Sequence, residues 1–585
     1  MKYELAIDGM TCLDCAKSLE KALASLPGVE RAEVSYGAKR GIVLADERVT
    51  PDALRQAVVA TGYRAEIVGD PTTASQGGAT ATRARATPPP APRGMSSPTT
   101  TRQSGATGGS GADAFDLIVI GTGSAGMAAA IRASELGATA AIIEAADVVG
   151  GTCVNIGCIP SKNLIEAAHA YHVARTGFPG ITPCDPQVAW EQVLRQKREL
   201  VESLRKERYV DVLAAYEGLT LLRGRAALVS GDRGGVVVVR VGEREVRGRK
   251  LVIATGTRPA MPSIPGLPDG GTLDSTSVME LERLPASMLI VGGGSIGLEL
   301  GQAFRRFGVR VVVVVALDRV LPNEEPDVSA AVAHALTSEG MELHTGTRVT
   351  RISRTESGIR LDVEQGSLSG HLVAERVLVA TGRRPNTDAL GLEAAQIATD
   401  ARGFIVVDEY MRTSQPRVHA AGDVTGGPQY VYVAALEGGI AAQAALSDVV
   451  GEEPIAADLA TVPRVTFTDP QVAAVGMTET EARQAGLLPQ VTSLPIEYLP
   501  RAVVSYRRQG VIKLIAEAGT DRLLGAHVVA SNAGDIIGEA VLAVRFALTT
   551  RDIVSTLHPY LTWGEGIKLA AQTFTKDVAK LSCCA

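Results

Sequence analysis

Aromatic residues are scarce in this chain of 585 residues, 4% of the total with 2 Trp, and no uninterrupted apolar run exceeds the seven residues 311–317. A bilayer span needs roughly 20 apolar residues, so no membrane-crossing segment is expected. No basic cluster is present either. Lys and Arg number 58 against 64 Asp and Glu, a formal charge of -6, and nothing tracks a phosphate backbone, which argues against a nucleic acid partner. The first seven residues lack the basic start and apolar run of a secretory signal, so the seven cysteines are expected in a reducing cytosol. Glycine is abundant, with 62 residues, as in a globular chain built on tight turns. The length suggests about four domains. Six of the cysteines fall in close pairs: Cys12 with Cys15, Cys153 with Cys158, and Cys583 with Cys584.

Residues 71–112 contain no acid and, proline aside, only Met95 as an apolar side chain larger than alanine. Such a segment cannot form a core; the 70–112 region is expected to be a disordered linker with a reach of roughly 35 to 40 Å. Before it, residues 1–69 read as a strand (Tyr3, Leu5, Ile7), a helix (Leu19, Ala22, Leu23, Leu26), strands over 29–36 and 41–45, a helix over 51–60 and a strand over 63–68. This is a ferredoxin-like βαββαβ order. After the linker, a strand over 115–120, a glycine turn, a helix through Leu136 and a strand over 140–144 form one βαβ unit. A second unit begins at Met288, with a helix to Phe307 and a strand over 309–315. The body is therefore expected to be α/β with two dinucleotide-binding domains. From about Ala460, strands over 465–468 and 511–515 mix with helices over 534–547 and 562–573, which reads as a separate α+β closing domain.

Gly121-x-Gly123-x-x-Gly126 follows a predicted strand and opens a helix, with Glu144 ending the next strand. That context makes it a dinucleotide fingerprint: the glycines let the backbone approach a pyrophosphate at the helix N-terminus, and the carboxylate holds a ribose hydroxyl. Gly292-x-Gly294-x-x-Gly297 repeats the arrangement, but Val315 stands where the acid belongs. That absence, with Arg310 and Arg319 nearby, tilts the cofactor from NADH toward NADPH, whose 2'-phosphate calls for cations; the two arginines also read as plain surface charge. Cys153 and Cys158, five residues apart and followed by Lys162, sit at a predicted helix start. A helix end and a lysine favour thiolate, so the pair can cycle between disulfide and dithiol; the alternative is two cysteines packed as small hydrophobes.

Together with Ala254-Thr-Gly256-Thr-Arg258-Pro, Ala380-Thr-Gly-Arg-Arg-Pro-Asn386, Ala421-Gly-Asp423 and Phe467-Thr-Asp-Pro470, these motifs resemble the flavoprotein disulfide reductases over residues 113–585. The resemblance implies FAD bound by 113–265 and 381–457, with Gly256 among its contacts, a pyridine nucleotide on 266–380, and a homodimer formed through 458–585. It also implies that electrons pass from nicotinamide through flavin to the thiol pair. On this resemblance Cys158 is the flavin-facing thiol and Cys153 the interchange thiol. Lys162 and Glu299 form an ion pair near the flavin, and Asp423 touches the flavin side chain.

Three departures bear on the substrate. Gly9-Met-Thr-Cys12-Leu-Asp-Cys15 resembles the heavy-metal-associated domain, in which two thiolates take a soft cation; a thioredoxin-type redox pair is the other reading. The vicinal Cys583 and Cys584 form only a strained ring disulfide and suit a soft metal better, unless the tail is incidental. His558-Pro559 resembles the family's acid/base element, yet Trp563 stands where its glutamate belongs and the nearest carboxylate in sequence is Glu565, so the dyad reads as broken. The combination is similar to the mercury-reducing branch of the family. That likeness implies Hg(II), arriving as thiol complexes or from a mercury transporter, as the substrate. Cys12 and Cys15 would capture it, and Cys583 and Cys584 of the other subunit would pass it to Cys153 and Cys158, with Tyr209 and Tyr560 flanking it. The competing readings are an ordinary thiol-disulfide oxidoreductase of the dihydrolipoamide or glutathione type and a soft-metal trafficking module. Cys184 reads as a loop residue, and His169 with His172 lacks a third ligand for zinc.

Overall fold

The computed structural model describes residues 2–8, 13–35, 40–46, 48–61, 63–69, 114–230, 232–266, 272–451 and 453–581. The expected linker, Cys12, Cys583 and Cys584 lie outside the described residues. The chain forms two compact units, Met1–Thr107 and Gly108–Ala585.

In the first unit, period-two alternation places Tyr3, Leu5 and Ile7 of the strand Lys2–Asp8 in the core. The strands order as Val29–Ser35, Arg40–Ala45, Lys2–Asp8 and Arg64–Gly69, antiparallel throughout. Helices Leu13–Ala24 and Pro51–Ala60 bury Leu19, Leu23, Leu54 and Val58 against the sheet. The second helix starts where Thr50 accepts a hydrogen bond from the Ala53 amide at 3.3 Å and Pro51 needs no partner. This is the expected ferredoxin-like βαββαβ fold.

Three larger sheets organise the described residues of the second unit: a mixed one with a parallel core, a parallel one and an antiparallel one. In the first, Leu219–Arg223, Ala140–Glu144, Ala114–Ile120 and Arg244–Ile253 run parallel, joined by Val418–Ala420. In the second, Thr272–Leu273, Arg376–Val379, Ser287–Val291, Arg310–Val314 and Glu342–His344 are all parallel. Their central strands are apolar runs, as strands covered on both faces must be; Val311, Val312, Val313 and Val314 are all buried. The third sheet orders Arg464–Thr466, Gln471–Gly476, Leu523–Ala530, Val511–Glu517 and Pro489–Pro495, antiparallel.

One helix among the described residues, Val431–Val450, is long and apolar enough to cross a membrane by length and composition. It is instead a core helix. Ala441, Ala442 and Ala445 are buried in the same cluster as Ala129, Ala130 and Ala133 of Ser124–Glu135. Gly438 lets the two helices meet, since an added Cβ would lie 2.1 Å from the Ala125 carbonyl oxygen.

The Phe467–Pro470 segment latches the antiparallel domain onto helix Ser295–Arg306. Asp469 and Gln302 exchange two hydrogen bonds at 2.7 Å, and Arg306 donates to Asp469 at 2.9 Å and to Glu339 at 2.7 Å. His169 joins this cluster through Asp469 at 3.3 Å, so it serves an ionic latch. Burial would raise the Asp469 carboxyl, yet His169 and Arg306 hold it well below the usual carboxylate range.

Candidate active site

Both glycine turns require their glycines. Gly121 has φ +107 and an added Cβ would lie 2.3 Å from the Ala254 oxygen; one on Gly126 would lie 1.9 Å from the Gly121 oxygen. Gly292 and Gly297 repeat this, at 2.4 Å from the Ala380 oxygen and 2.3 Å from the Gly292 oxygen. Each turn thus packs its helix directly onto its strand. The middle glycines differ: around Gly294 nothing lies within 4 Å of an added Cβ, and at Gly123 only the Gly151 Cα does, at 3.8 Å. The helix N-termini therefore face open space, with room for a pyrophosphate at each.

That space is a single cavity of about 2390 Å³, lined by both turns and by Cys153, Cys158, Lys162, Gly256, Glu299 and Asp423. Glu144 is already oriented at its rim: Oε2 accepts from the Thr122 amide at 3.1 Å and from the Thr122 hydroxyl, and Oε1 accepts from the Ala146 amide at 2.8 Å. Asp423 accepts from the Thr257 hydroxyl at 2.9 Å. The buried Thr255 hydroxyl, also on the lining, has no partner among the described residues. The open helix ends, the oriented acids and this orphaned hydroxyl fit two dinucleotides.

The thiols lie on consecutive helices. Cys153 is the third residue of the short helix Gly151–Ile156, and Cys158 opens the helix Cys158–Thr176, so only Cys158 has the expected helix-start position. Both are free thiols. A hydrogen bond from Cys153, then the charge of Lys162, outweigh burial and bring Cys158 down to about 7, while Cys153, donating that bond and partly buried, is pushed up. The pair is asymmetric: Cys158 gives up its proton around neutral pH, beside a Cys153 that keeps its own. Lys162 donates to Glu299 at 2.7 Å and lies 4.6 Å from the Phe467 ring centroid, while the other Glu299 oxygen accepts from the Phe467 amide at 2.8 Å.

Tyr209 lies on a π-helical turn, Lys206–Val210, with its ring over Gly150 and a hydrogen bond to Ser124; burial first, then the nearby Cys153, raises its phenol. Tyr560 is elsewhere. It is half exposed on the antiparallel domain and is not among the cavity-lining residues of its own chain. Cys15 lies on helix Leu13–Ala24 of the separate N-terminal unit.

Profiles of known families match three parts of the chain: pyridine nucleotide-disulphide oxidoreductase over residues 115–438, its dimerisation domain over 462–571, and the heavy-metal-associated domain over 4–64. The mercuric reductase of Streptomyces lividans is 44% identical, covering 80% of this chain and 98% of its own. The mercuric reductase of Lysinibacillus sphaericus is 36% identical over the full length of both chains. The chain belongs to the mercuric reductases, within the pyridine nucleotide-disulphide oxidoreductase family. Among solved structures, the HOCl-induced flavoprotein disulfide reductase RclA of Escherichia coli is similar, with a TM-score of 0.69 at 30% identity, covering 79% of this chain and 100% of that one. Members of this family carry FAD and a pyridine nucleotide, and the dimerisation domain makes this mercuric reductase a homodimer.

Two sequence expectations change. Arg310 begins its strand, at the end away from the glycine turn, and binds Glu342 at 3.4 Å and the Val373 oxygen at 3.1 Å; it cannot meet a nucleotide at the strand's other end. Arg319 turns back onto the Pro322 oxygen at 3.1 Å. Proximity in sequence misled because a strand carries its two ends far apart. The cation that lines the cavity near Val315 is Arg348, 3.3 Å from Glu364. His558, in turn, has a carboxylate partner, Glu539, at 2.6 Å, whereas Glu565 accepts from the Leu561 amide at 3.1 Å.

Arg383 and Glu437 were not singled out from sequence. Arg383 donates to the Thr257 hydroxyl at 2.7 Å and the Thr257 oxygen at 2.8 Å, extending the Thr257–Asp423 chain. Glu437 accepts from the Gly422 amide at 2.7 Å, and burial pushes it up to about 7. The Thr-Gly-Arg-Arg-Pro motif pointed to the first; an acid in the otherwise apolar first half of a helix was the only signal for the second.

Proposed function

We infer that this chain reduces Hg(II) to elemental mercury with NADPH, Hg(II) + NADPH giving Hg(0) + NADP+ + H+, as a cytoplasmic detoxification enzyme. The observation carrying this reading is the asymmetric Cys153–Cys158 pair on a cavity with two dinucleotide turns, in a chain with mercuric reductases as full-length relatives. When bound, FAD and the pyridine nucleotide supply the transfer of two electrons to the thiol site.

The chain's own part is to hold the metal. Cys158, thiolate near neutral pH, is a ready soft ligand, and Cys153 releases its proton as the metal binds. Lys162, fixed by Glu299, supports the thiolate. Tyr209 flanks Cys153, and Tyr560 enters from the other subunit of the homodimer. Division of labour follows 1–69 for capture, 113–265 with 381–457 for FAD, 266–380 for the pyridine nucleotide and 458–585 for dimerisation. Cys12 and Cys15 take Hg(II) from small-thiol complexes or a transporter, and Cys583 and Cys584 pass it inward; each exchange keeps mercury on sulfur. Gly121, Gly123, Gly126, Glu144, Gly256 and Asp423 hold FAD, and Gly292, Gly294, Gly297 and Arg348 hold NADPH.

Steady-state turnover at limiting small thiol tests the relay. Replacing Cys583 and Cys584 by alanine is expected to slow Hg(II) reduction by about tenfold or more, and Cys153→Ser to abolish it. Full turnover without the tail cysteines contradicts the relay.

A further inference from the structure

We propose that His558 is a positioning residue that holds the Tyr560 segment in place, and not a proton donor to substrate; the proposal rests on the reading of Tyr560 as flanking the metal. The His558 side chain is 6% exposed, with Nε2 2.6 Å from Glu539 and Nδ1 3.0 Å from the Thr556 carbonyl oxygen. A carbonyl and a carboxylate accept hydrogen bonds and do not donate them. Both ring nitrogens are thus engaged within this domain, Nε2 by Glu539 and Nδ1 by Thr556. Delivering a proton from either nitrogen means breaking its bond to Glu539 or Thr556. A general acid instead needs a nitrogen directed at the reacting group.

The geometry makes a strap. Glu539 belongs to helix Ala533–Arg545, and the Thr556 oxygen also accepts from Lys568 of helix Glu565–Gln572 at 3.2 Å. Thus His558 ties the chain after helix Thr550–Ser555 to helix Ala533–Arg545, and Lys568 ties the same stretch to helix Glu565–Gln572. At the far end, Leu561 has φ +62, its amide donates to Glu565 at 3.1 Å, and the Thr562 hydroxyl donates to the Pro559 oxygen at 2.9 Å. Tyr560 lies between these two anchors. Leu557 on the strap, 91% exposed, Leu542 on the helix of Glu539 and Phe546 just past its end are exposed apolar side chains. They are the kind of surface a second subunit covers, which is where Tyr560 is needed.

The test uses the full-length, FAD-loaded enzyme and compares wild type with His558→Ala, Glu539→Ala, Glu539→Gln and the double alanine variant. Expected for either alanine variant is a KM for thiol-bound Hg(II) raised about tenfold with kcat within about twofold, and a double variant no worse than the worse single. Glu539→Gln, which keeps an amide oxygen toward Nε2, recovers most of the KM. A large fall in kcat at unchanged KM would mark a proton donor and overturn the proposal, as would unchanged kinetics in both alanine variants. Emission from Trp563 in a Trp190→Phe background reads the strap without turnover: it shifts in His558→Ala, and an unchanged spectrum overturns the proposal. If Tyr560→Phe leaves the KM for Hg(II) untouched, the metal-flanking reading fails by itself, while Trp563 emission still decides what His558 holds.

Discussion

Replacing Lys162 with methionine and Glu299 with glutamine separates the structural from the electronic role of their ion pair. The two meet at 2.7 Å, with the Glu299 side chain 6% exposed and that of Lys162 34% exposed. Breaking a fully buried pair costs about 3–5 kcal/mol. The exposure of Lys162 and the remaining bond from the Phe467 amide to Glu299 reduce this to about 1–3 kcal/mol for Lys162→Met. The paired variant, lacking both charges, recovers part of that loss. The two single variants should both destabilise, Lys162→Met more because it strands the more buried charge, but act oppositely on Cys158, because Lys162 lowers its proton affinity and Glu299 raises it. Lys162→Met is expected to move the Cys158 midpoint from about 7 toward about 8, and Glu299→Gln to move it below about 7. The sign of the stability effect follows. Cys158 is an acid held below the value of an unfolded thiol, so its contribution to stability is full above that unfolded value and is lost as pH falls through about 7. Iodoacetamide labelling of the dithiothreitol-reduced protein against pH, with Cys158 followed by peptide mass, measures the midpoints, and urea unfolding measures stability. Midpoints that move in the same direction, or do not move, would refute the reasoning.

Gly126→Ala places a Cβ 1.9 Å from the Gly121 oxygen; a cost of at least about 1–3 kcal/mol is expected, with a lower melting temperature and less flavin retained per chain after gel filtration. Arg348→Ala should weaken NADP+ binding by about tenfold and NAD+ binding by less than about twofold, whereas Arg310→Ala should alter neither; titration calorimetry distinguishes them. Lys513 pairs with Glu325 at 2.7 Å, both buried, so Lys513→Met should cost about 3–5 kcal/mol in denaturant unfolding.

Local signals were legible in the sequence where the chemistry is local. Alternation at Tyr3, Leu5 and Ile7 and helical spacing at Leu19 and Leu23 specify the N-terminal fold, because one face of each element is buried. The two glycine turns were legible because only glycine tolerates the close approach of a backbone carbonyl, from the end of a neighbouring strand or from the turn itself. What escaped was set by tertiary placement. Whether Arg310 or Arg348 meets the nucleotide depends on which end of a strand faces the cavity. Glu539 reaches His558 across a helix pairing that no spacing reveals. Glu437 acquires its raised proton affinity from burial beside Gly422, which composition does not encode. Family motifs gave Phe467–Pro470 as a landmark, but its work, fixing Glu299, Gln302 and Arg306 on one helix, is visible only in three dimensions.

The most direct test of the central claim is anaerobic NADPH oxidation by the FAD-loaded dimer, with mercury vapour trapped and counted, using Hg(II) in excess small thiol against glutathione disulfide and lipoamide. One Hg(0) released per NADPH consumed, with little turnover of either disulfide, is the expected result. Rapid reduction of a disulfide, with Hg(II) acting only as an inhibitor, would contradict it.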